Sequence, residues 1–206
     1  MFLLDNSKAL FIHSDNEFNA YRILIEKAFY TNKYLPHQVF RENFNCFLFQ
    51  EFDWALSDEV LTTIKKLSGL TNDKEFLTAV LKPDPVEYYL REFGYYNWLR
   101  TGVEISGKDY VNALWTSPEG SIADDIATNS NIVVWLSNSL DWAIWADRDL
   151  EICILAFSPK NYSIQNLLSK EGWKPLNGIL KEWLELLFND REKFDEFWVE
   201  LTSNYS

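Results

Sequence analysis

Residues 131–157 read NIVVWLSNSLDWAIWADRDLEICILAF, and three apolar runs within this segment decide the fold. The runs are Ile132–Leu136, Trp142–Ala146 and Ile152–Phe157, and short polar breaks separate them. Short β-branched and aromatic runs divided by turn-forming residues predict consecutive antiparallel strands. We therefore expect a three-stranded meander. Because the first and third runs are apolar on both faces, we also expect a sheet covered on both sides.

Helical patterns surround this meander on both sides. Ser14 and Glu17 form an S-x-x-E capping box that predicts a helix from about Asp15 to Tyr30. Apolar spacing after the meander predicts helices over 163–169, 176–188 and 191–201. A chain of 206 residues is long enough to bury one large core without disulfides or metals. We thus predict a single α+β domain over 1–206, with an antiparallel sheet packed against N-terminal and C-terminal helices.

The region before the meander mixes strand and helix signals. Ser57 followed by two acids predicts the start of a helix that Gly69 ends. For residues 103–115 the pattern favours a hairpin, with a helical turn in the later part as the alternative. The remaining expected elements are short strands over 9–12 and 46–49, a short helix over 72–81, and a helix over 85–93 that Asp84 caps.

Net charge restricts the partners that the protein can bind. The chain has 31 acidic and 19 basic residues, which gives a net charge of −12. Such a field repels phosphate backbones and anionic lipid heads, so we expect no direct binding to nucleic acid or membrane. The same field speeds encounter with a basic protein partner.

The sequence also lacks the usual signatures of catalysis and cofactor binding. It has two histidines, His13 and His37, and neither lies in an active-site motif. The two cysteines, Cys46 and Cys153, do not form spaced zinc-ligand pairs, and the seven glycines form no phosphate-binding loop. We expect no cofactor, and a non-catalytic role is favoured.

Location is expected to be cytoplasmic. The N-terminal residues lack the basic and long apolar regions of a signal peptide, and the longest apolar run is too short to span a bilayer. The two cysteines are more typical of small buried hydrophobes than of a disulfide, which fits a reducing compartment.

Acidic residues concentrate around the meander. Residues 119–151 contain seven acids and one base, Arg148. One interpretation is that Asp147-Arg148-Asp149 is a solvated tight turn, since aspartate is favoured in turns. A second is an acidic protein-binding surface, and a third is a divalent-metal site for a metal-dependent hydrolase. That metal site would use Asp124, Asp125, Asp147, Asp149 and Glu151.

Tryptophans supply the other candidate contacts. Trp142 and Trp145 lie three residues apart in a predicted strand, so they point to opposite faces of the sheet. One is expected in the core, and the other, together with Trp135, either packs under a helix or forms an exposed aromatic anchor. The candidate partner-binding residues are Asp124, Asp125, Trp142, Trp145, Asp147, Asp149 and Glu151.

The stretch SNSLDWAIWADRDLEICILAF, from Ser137 to Phe157, resembles small acidic bacterial proteins of the immunity type. The shared features are an S-x-D-W-A-[IV] strand, an acidic turn and a following apolar strand. Such proteins neutralise a toxin encoded beside them, so the resemblance implies an inhibitor that acts by surface complementarity. A DNA mimic, with acids spaced like phosphates, is a further alternative.

Overall fold

The computed structural model describes residues 10–158, 164, 168 and 171–206. Within these residues the chain is an α+β fold with seven α-helices and a six-stranded antiparallel sheet. The helices are α1 (Asp15–Ala28), α2 (Phe52–Ala55), α3 (Asp58–Thr71), α4 (Arg91–Phe93), α5 (Gly107–Leu114), α6 (Gly178–Glu185) and α7 (Arg191–Tyr205). The strands are β1 (Cys46–Glu51), β2 (Glu75–Lys82), β3 (Trp98–Gly102), β4 (Ile132–Ser137), β5 (Trp142–Asp147) and β6 (Ile152–Phe157).

The predicted meander is confirmed and forms the centre of the sheet. The strand order is β1-β6-β5-β4-β2-β3, so β4, β5 and β6 are consecutive neighbours. In the register, Trp145 lies opposite Val134 on one side and Ile154 on the other. Every residue of these three strands is buried.

Helices cover both faces of the sheet, as the continuous apolar strands predict. One face packs against α2, α3 and α5, through residues such as Phe52, Ile64 and Tyr110. The other packs against α1, α6 and α7, through residues such as Phe18 and Leu184. The predicted packing against N-terminal and C-terminal helices is therefore confirmed, and a second layer of helices lies on the opposite face.

Short extended segments cover parts of both edge strands. At β1, Phe49 donates its backbone N–H to Lys174 O at 2.7 Å and accepts from Lys174 N at 3.1 Å. At β3, Phe11 forms a bridge with Leu99, in the segment for which a short strand is predicted. Partly covered edges are less able to pair with another chain.

The helix predicted over 72–81 is wrong, because these residues form β2. Asn72 ends α3 in the left-handed conformation instead of beginning a new helix. Phe76 to Val80 are all buried, and alternate side chains enter opposite core layers. A run of buried residues of this length does not show whether it is a helix or a strand, and pairing with β3 and β4 decides in favour of the strand.

The hairpin predicted over 103–115 is also wrong, and the helical alternative is correct. The strand of this region lies earlier, at β3, and pairs with β2. Ser106 then begins α5, since its hydroxyl accepts from the Asp109 backbone N–H at 3.1 Å. The resulting helix buries Tyr110 and Leu114 under the sheet.

Other helix boundaries differ only in detail. Ser14 precedes α1 but its side chain makes no capping hydrogen bond, and α3 continues past Gly69 to Thr71. Asp84 caps the next helix as predicted, accepting from Val86 N and Glu87 N, and this helix begins as a π-helix over Pro85–Leu90 before α4. The helix predicted over 163–169 lies outside the described residues except at positions 164 and 168.

Candidate protein-binding surface

Asp124 organises the long loop between α5 and β4. Its carboxylate accepts hydrogen bonds from the Tyr88 hydroxyl at 2.7 Å, the Asn129 amide at 2.6 Å and the Ser121 hydroxyl at 2.5 Å. Partial burial alone would raise the Asp124 pKa, but these three hydrogen bonds outweigh it and lower the pKa below its ordinary value. The ionised carboxylate is thus used to hold the loop together.

Asp125 has a similar internal role. It is 3% exposed, accepts from the Ser117 hydroxyl at 3.0 Å and accepts from the Thr128 backbone N–H at 2.8 Å. A buried carboxylate with two such donors stabilises the loop from within. A partner cannot reach Asp125 unless the loop opens.

The two candidate tryptophans of β5 belong to the core. Trp142 is 0% exposed and Trp145 is 1% exposed, and they lie in opposite core layers as alternation predicts. Trp135 is also fully buried, and its indole N–H donates to the Tyr110 hydroxyl at 2.7 Å. The exposed-anchor alternative is therefore wrong for all three, because helices pack over both faces of the sheet at these positions.

Asp147 is the last residue of β5 and is also buried, at 6% exposure. Burial raises its pKa to about 6, because transfer out of water disfavours the charged form. Its carboxylate accepts from the Leu150 backbone N–H at 3.2 Å, which closes the β5–β6 turn. This hydrogen bond supports a tight turn at Asp147-Arg148-Asp149, but the interpretation of a solvated turn is wrong for Asp147, which is buried.

Arg148 joins this turn to the loop before β4. Its Nε donates to Ser130 O at 2.7 Å, and its Nη2 donates to Ala127 O at 2.8 Å. The guanidinium carbon also lies 4.6 Å from the centre of the Phe52 ring. The acidic turn and the long loop therefore meet at one end of the sheet.

Of the candidate acids, Asp149 and Glu151 project into solvent. The Asp149 side chain is 65% exposed, 4.0 Å from Lys82 Nζ, and accepts from the Asn131 amide at 3.1 Å. Glu151 is exposed and has a φ of 54°, in the left-handed region. The Trp183 indole N–H donates to its Oε2 at 3.4 Å.

A depression of about 250 Å³ lies beside Glu151, and we name it with its surroundings the turn surface. Three exposed carboxylates and the Arg148 guanidinium line it, together with the half-buried Trp183. A smaller groove of about 80 Å³ continues from Trp183 along α6, where Ile179 is 68% exposed. The residues that define the turn surface are Glu51, Phe52, Asp53, Arg148, Glu151, Ile179 and Trp183.

Of the partner-binding residues predicted from the sequence, only Glu151 lies on this surface. Ile179 and Trp183 belong to the apolar pattern that predicts a helix over 176–188, and the pattern assigns both to the buried side. The observed helix is shorter, and of its residues only Leu180 and Leu184 are buried. The apolar spacing of this segment is that of a single packing face, so no signal in the sequence separates Ile179 and Trp183 from the buried Leu180 and Leu184.

Among residues 10–158, 164, 168 and 171–206, no three His, Cys, Asp or Glu side chains are grouped so that they could hold a metal ion. In the same part of the chain, no helix is long and apolar enough to cross a membrane. Comparisons with protein-family models, curated proteins and solved structures found no match.

Proposed function

We propose that this protein is a non-catalytic binding protein that captures a basic protein partner through the turn surface. The observation that carries the proposal is the position of Trp183 and exposed Ile179 beside the carboxylates of Glu51, Asp53 and Glu151. Aromatic and aliphatic side chains provide most of the burial energy in protein interfaces, and charges at the rim set the encounter rate.

The charge of the whole chain supports a basic partner. A net charge of −12 attracts a cationic protein over a distance of several ångströms and repels anionic surfaces. Arg148 offsets one of the three exposed carboxylates of the depression, so Glu51, Asp53, Glu151 and Arg148 together carry a net charge of −2. A lysine or arginine of the partner, placed over the depression, would offset negative charge of these carboxylates.

The specific form of this proposal is inhibition of a toxin or enzyme. It is supported by the resemblance of Ser137–Phe157 to immunity-type proteins. Steric blocking by a rigid surface requires no chemistry from the inhibitor. The exposed residues of the turn surface lie on or beside β1, β6 and α6, and regular elements of this kind hold contact residues in fixed positions.

The test is affinity capture with the full chain from the cells that produce it, with the product of the adjacent gene as the first purified candidate. We expect a basic protein whose binding is weakened at least about tenfold by Ile179→Ser and by Glu151→Gln. Glu192→Gln on α7 is the matched control, since Glu192 is exposed and the change in net charge is the same. Co-expression should relieve any toxicity of that partner.

Two results would reject the proposal. One is a partner that binds the turn-surface variants as tightly as it binds the wild-type chain. The other is an association rate that does not change between low and high salt, since steering by charge must weaken when ions screen it.

A further inference from the structure

A second cavity, which shares no residue with the turn surface, opens beside the first residues of the loop that follows α5. It is a cleft of about 170 Å³, and we name it the aromatic cleft. Its described lining residues are Phe11, His13, Phe93, Tyr95, Thr116, Ser117, Pro118 and Glu119.

Aromatic rings form much of its wall, and they are held in place by other rings. The Phe11 and Tyr95 rings meet edge to face, with centroids 5.2 Å apart. Phe93 is half-buried, and its ring centroid lies 6.0 Å from that of Tyr88. These contacts hold the rings in place, and an aromatic ring attracts a cation that lies over its face.

Two hydroxyl groups of the cleft already have hydrogen-bond partners. The Ser117 hydroxyl donates to Asp125 at 3.0 Å, and the Thr116 hydroxyl donates to Asn112 O at 2.7 Å. The exposed carboxylate of Glu119 has no hydrogen bond or ion pair with any described residue, and the same is true of the exposed His13 ring and the buried Tyr95 hydroxyl. Neither lysine nor arginine is among the described lining residues, where His13 is the only basic residue.

We propose that the aromatic cleft binds a planar organic cation of the amidinium or guanidinium class. Ring faces attract cations through their quadrupole, and a carboxylate pairs with an amidinium or guanidinium through two parallel hydrogen bonds. The cleft combines both features on a strongly acidic protein, so a cation fits its chemistry better than a neutral or anionic ligand. This inference is independent of the proposed function, since it uses other residues.

The test uses benzamidine and its neutral analogue benzamide, which have nearly the same shape. We expect calorimetry at low salt to show benzamidine binding about tenfold more tightly than benzamide to the wild-type chain. Glu119→Gln should remove most of that difference. Glu104→Gln, at another exposed acid, changes the net charge equally and should preserve it.

The proposal is overturned if benzamide binds as tightly as benzamidine, if neither binds, or if Glu104→Gln weakens benzamidine as much as Glu119→Gln does. The last result would indicate attraction by net charge alone. Competition with acetylated arginine amide then separates two sources of the cation. Displacement of benzamidine indicates an arginine side chain presented by a polypeptide, and no displacement indicates a free small cation.

Discussion

The Arg148 guanidinium donates from Nη2 to the Ala127 carbonyl oxygen at 2.8 Å and so fixes the β5–β6 turn to the loop before β4. Ser130, the other backbone acceptor, is 1% exposed. A single side chain therefore satisfies two carbonyl groups in a region with little access to water. The position of the turn surface depends on this connection, because Arg148 also lines its depression.

Arg148→Met should lower the free energy of unfolding by about 1–3 kcal/mol, because it leaves these carbonyl groups without a donor. Urea denaturation measures the change. Arg91→Met is the control, since the Arg91 side chain is 72% exposed, and it should change stability by less than about 0.5 kcal/mol. Equal effects of the two substitutions would contradict the structural role of Arg148.

Ionisation of Asp147 should lower the free energy of unfolding as the pH rises from about 4 to 6. Its pKa in the folded protein is about 6 against an ordinary value of 3.8, so over this range the folded state binds more protons than the unfolded state. A shift of this size corresponds to about 3 kcal/mol of lost stability above pH 6.

Asp147→Asn retains a side-chain oxygen that can accept from Leu150 N and removes the ionisation. We expect it to be more stable than the wild-type chain at pH 7 by about 1–3 kcal/mol, and nearly equal at pH 4. Denaturation curves at a series of pH values check both statements. A wild-type chain whose stability rises between pH 4 and 6, with the variant showing the same slope, would show that Asp147 ionises freely.

Tyr89 and Tyr95 offer a matched pair of buried hydroxyl groups. The Tyr89 hydroxyl donates to Asn129 O, whereas the Tyr95 hydroxyl has no hydrogen-bond partner among the described residues. Tyr89→Phe should therefore lower the free energy of unfolding by about 1 kcal/mol, and Tyr95→Phe should leave it unchanged or raise it. Thermal or urea unfolding of the two variants distinguishes them, and the reverse order would mean that the Tyr95 hydroxyl is paired in solution.

Two substitutions at Glu151 distinguish an effect on stability from an effect on partner binding. Its φ of 54° is unfavourable for most side chains, and asparagine tolerates it better. The Glu151→Asn variant should therefore be more stable than the Glu151→Gln variant by about 0.5–1 kcal/mol. Both substitutions remove the same charge, so they should weaken binding of the basic partner equally. If the binding losses follow stability instead of charge, the carboxylate is not a partner contact.

The sequence alone determined the centre of this protein. Runs such as Ile132–Leu136 contain enough adjacent apolar residues that burial on both faces is the only favourable state, and the polar breaks between them fix antiparallel turns. Helix ends with a local capping signal, such as Asp84, were also predictable, because the bonds that define them join residues close in sequence.

Tertiary structure decided the rest, since it depends on contacts between distant residues. The segment Glu75–Lys82 is a strand because β3 and β4 are available to pair with it. Asp147 is buried while Asp149 is exposed, although the two are separated by one residue, because Asp147 is the last residue of β5 and Asp149 lies in the turn that follows. Trp183 joins the acids of the β5–β6 turn because α6 packs beside β1, and no local pattern indicates that neighbour.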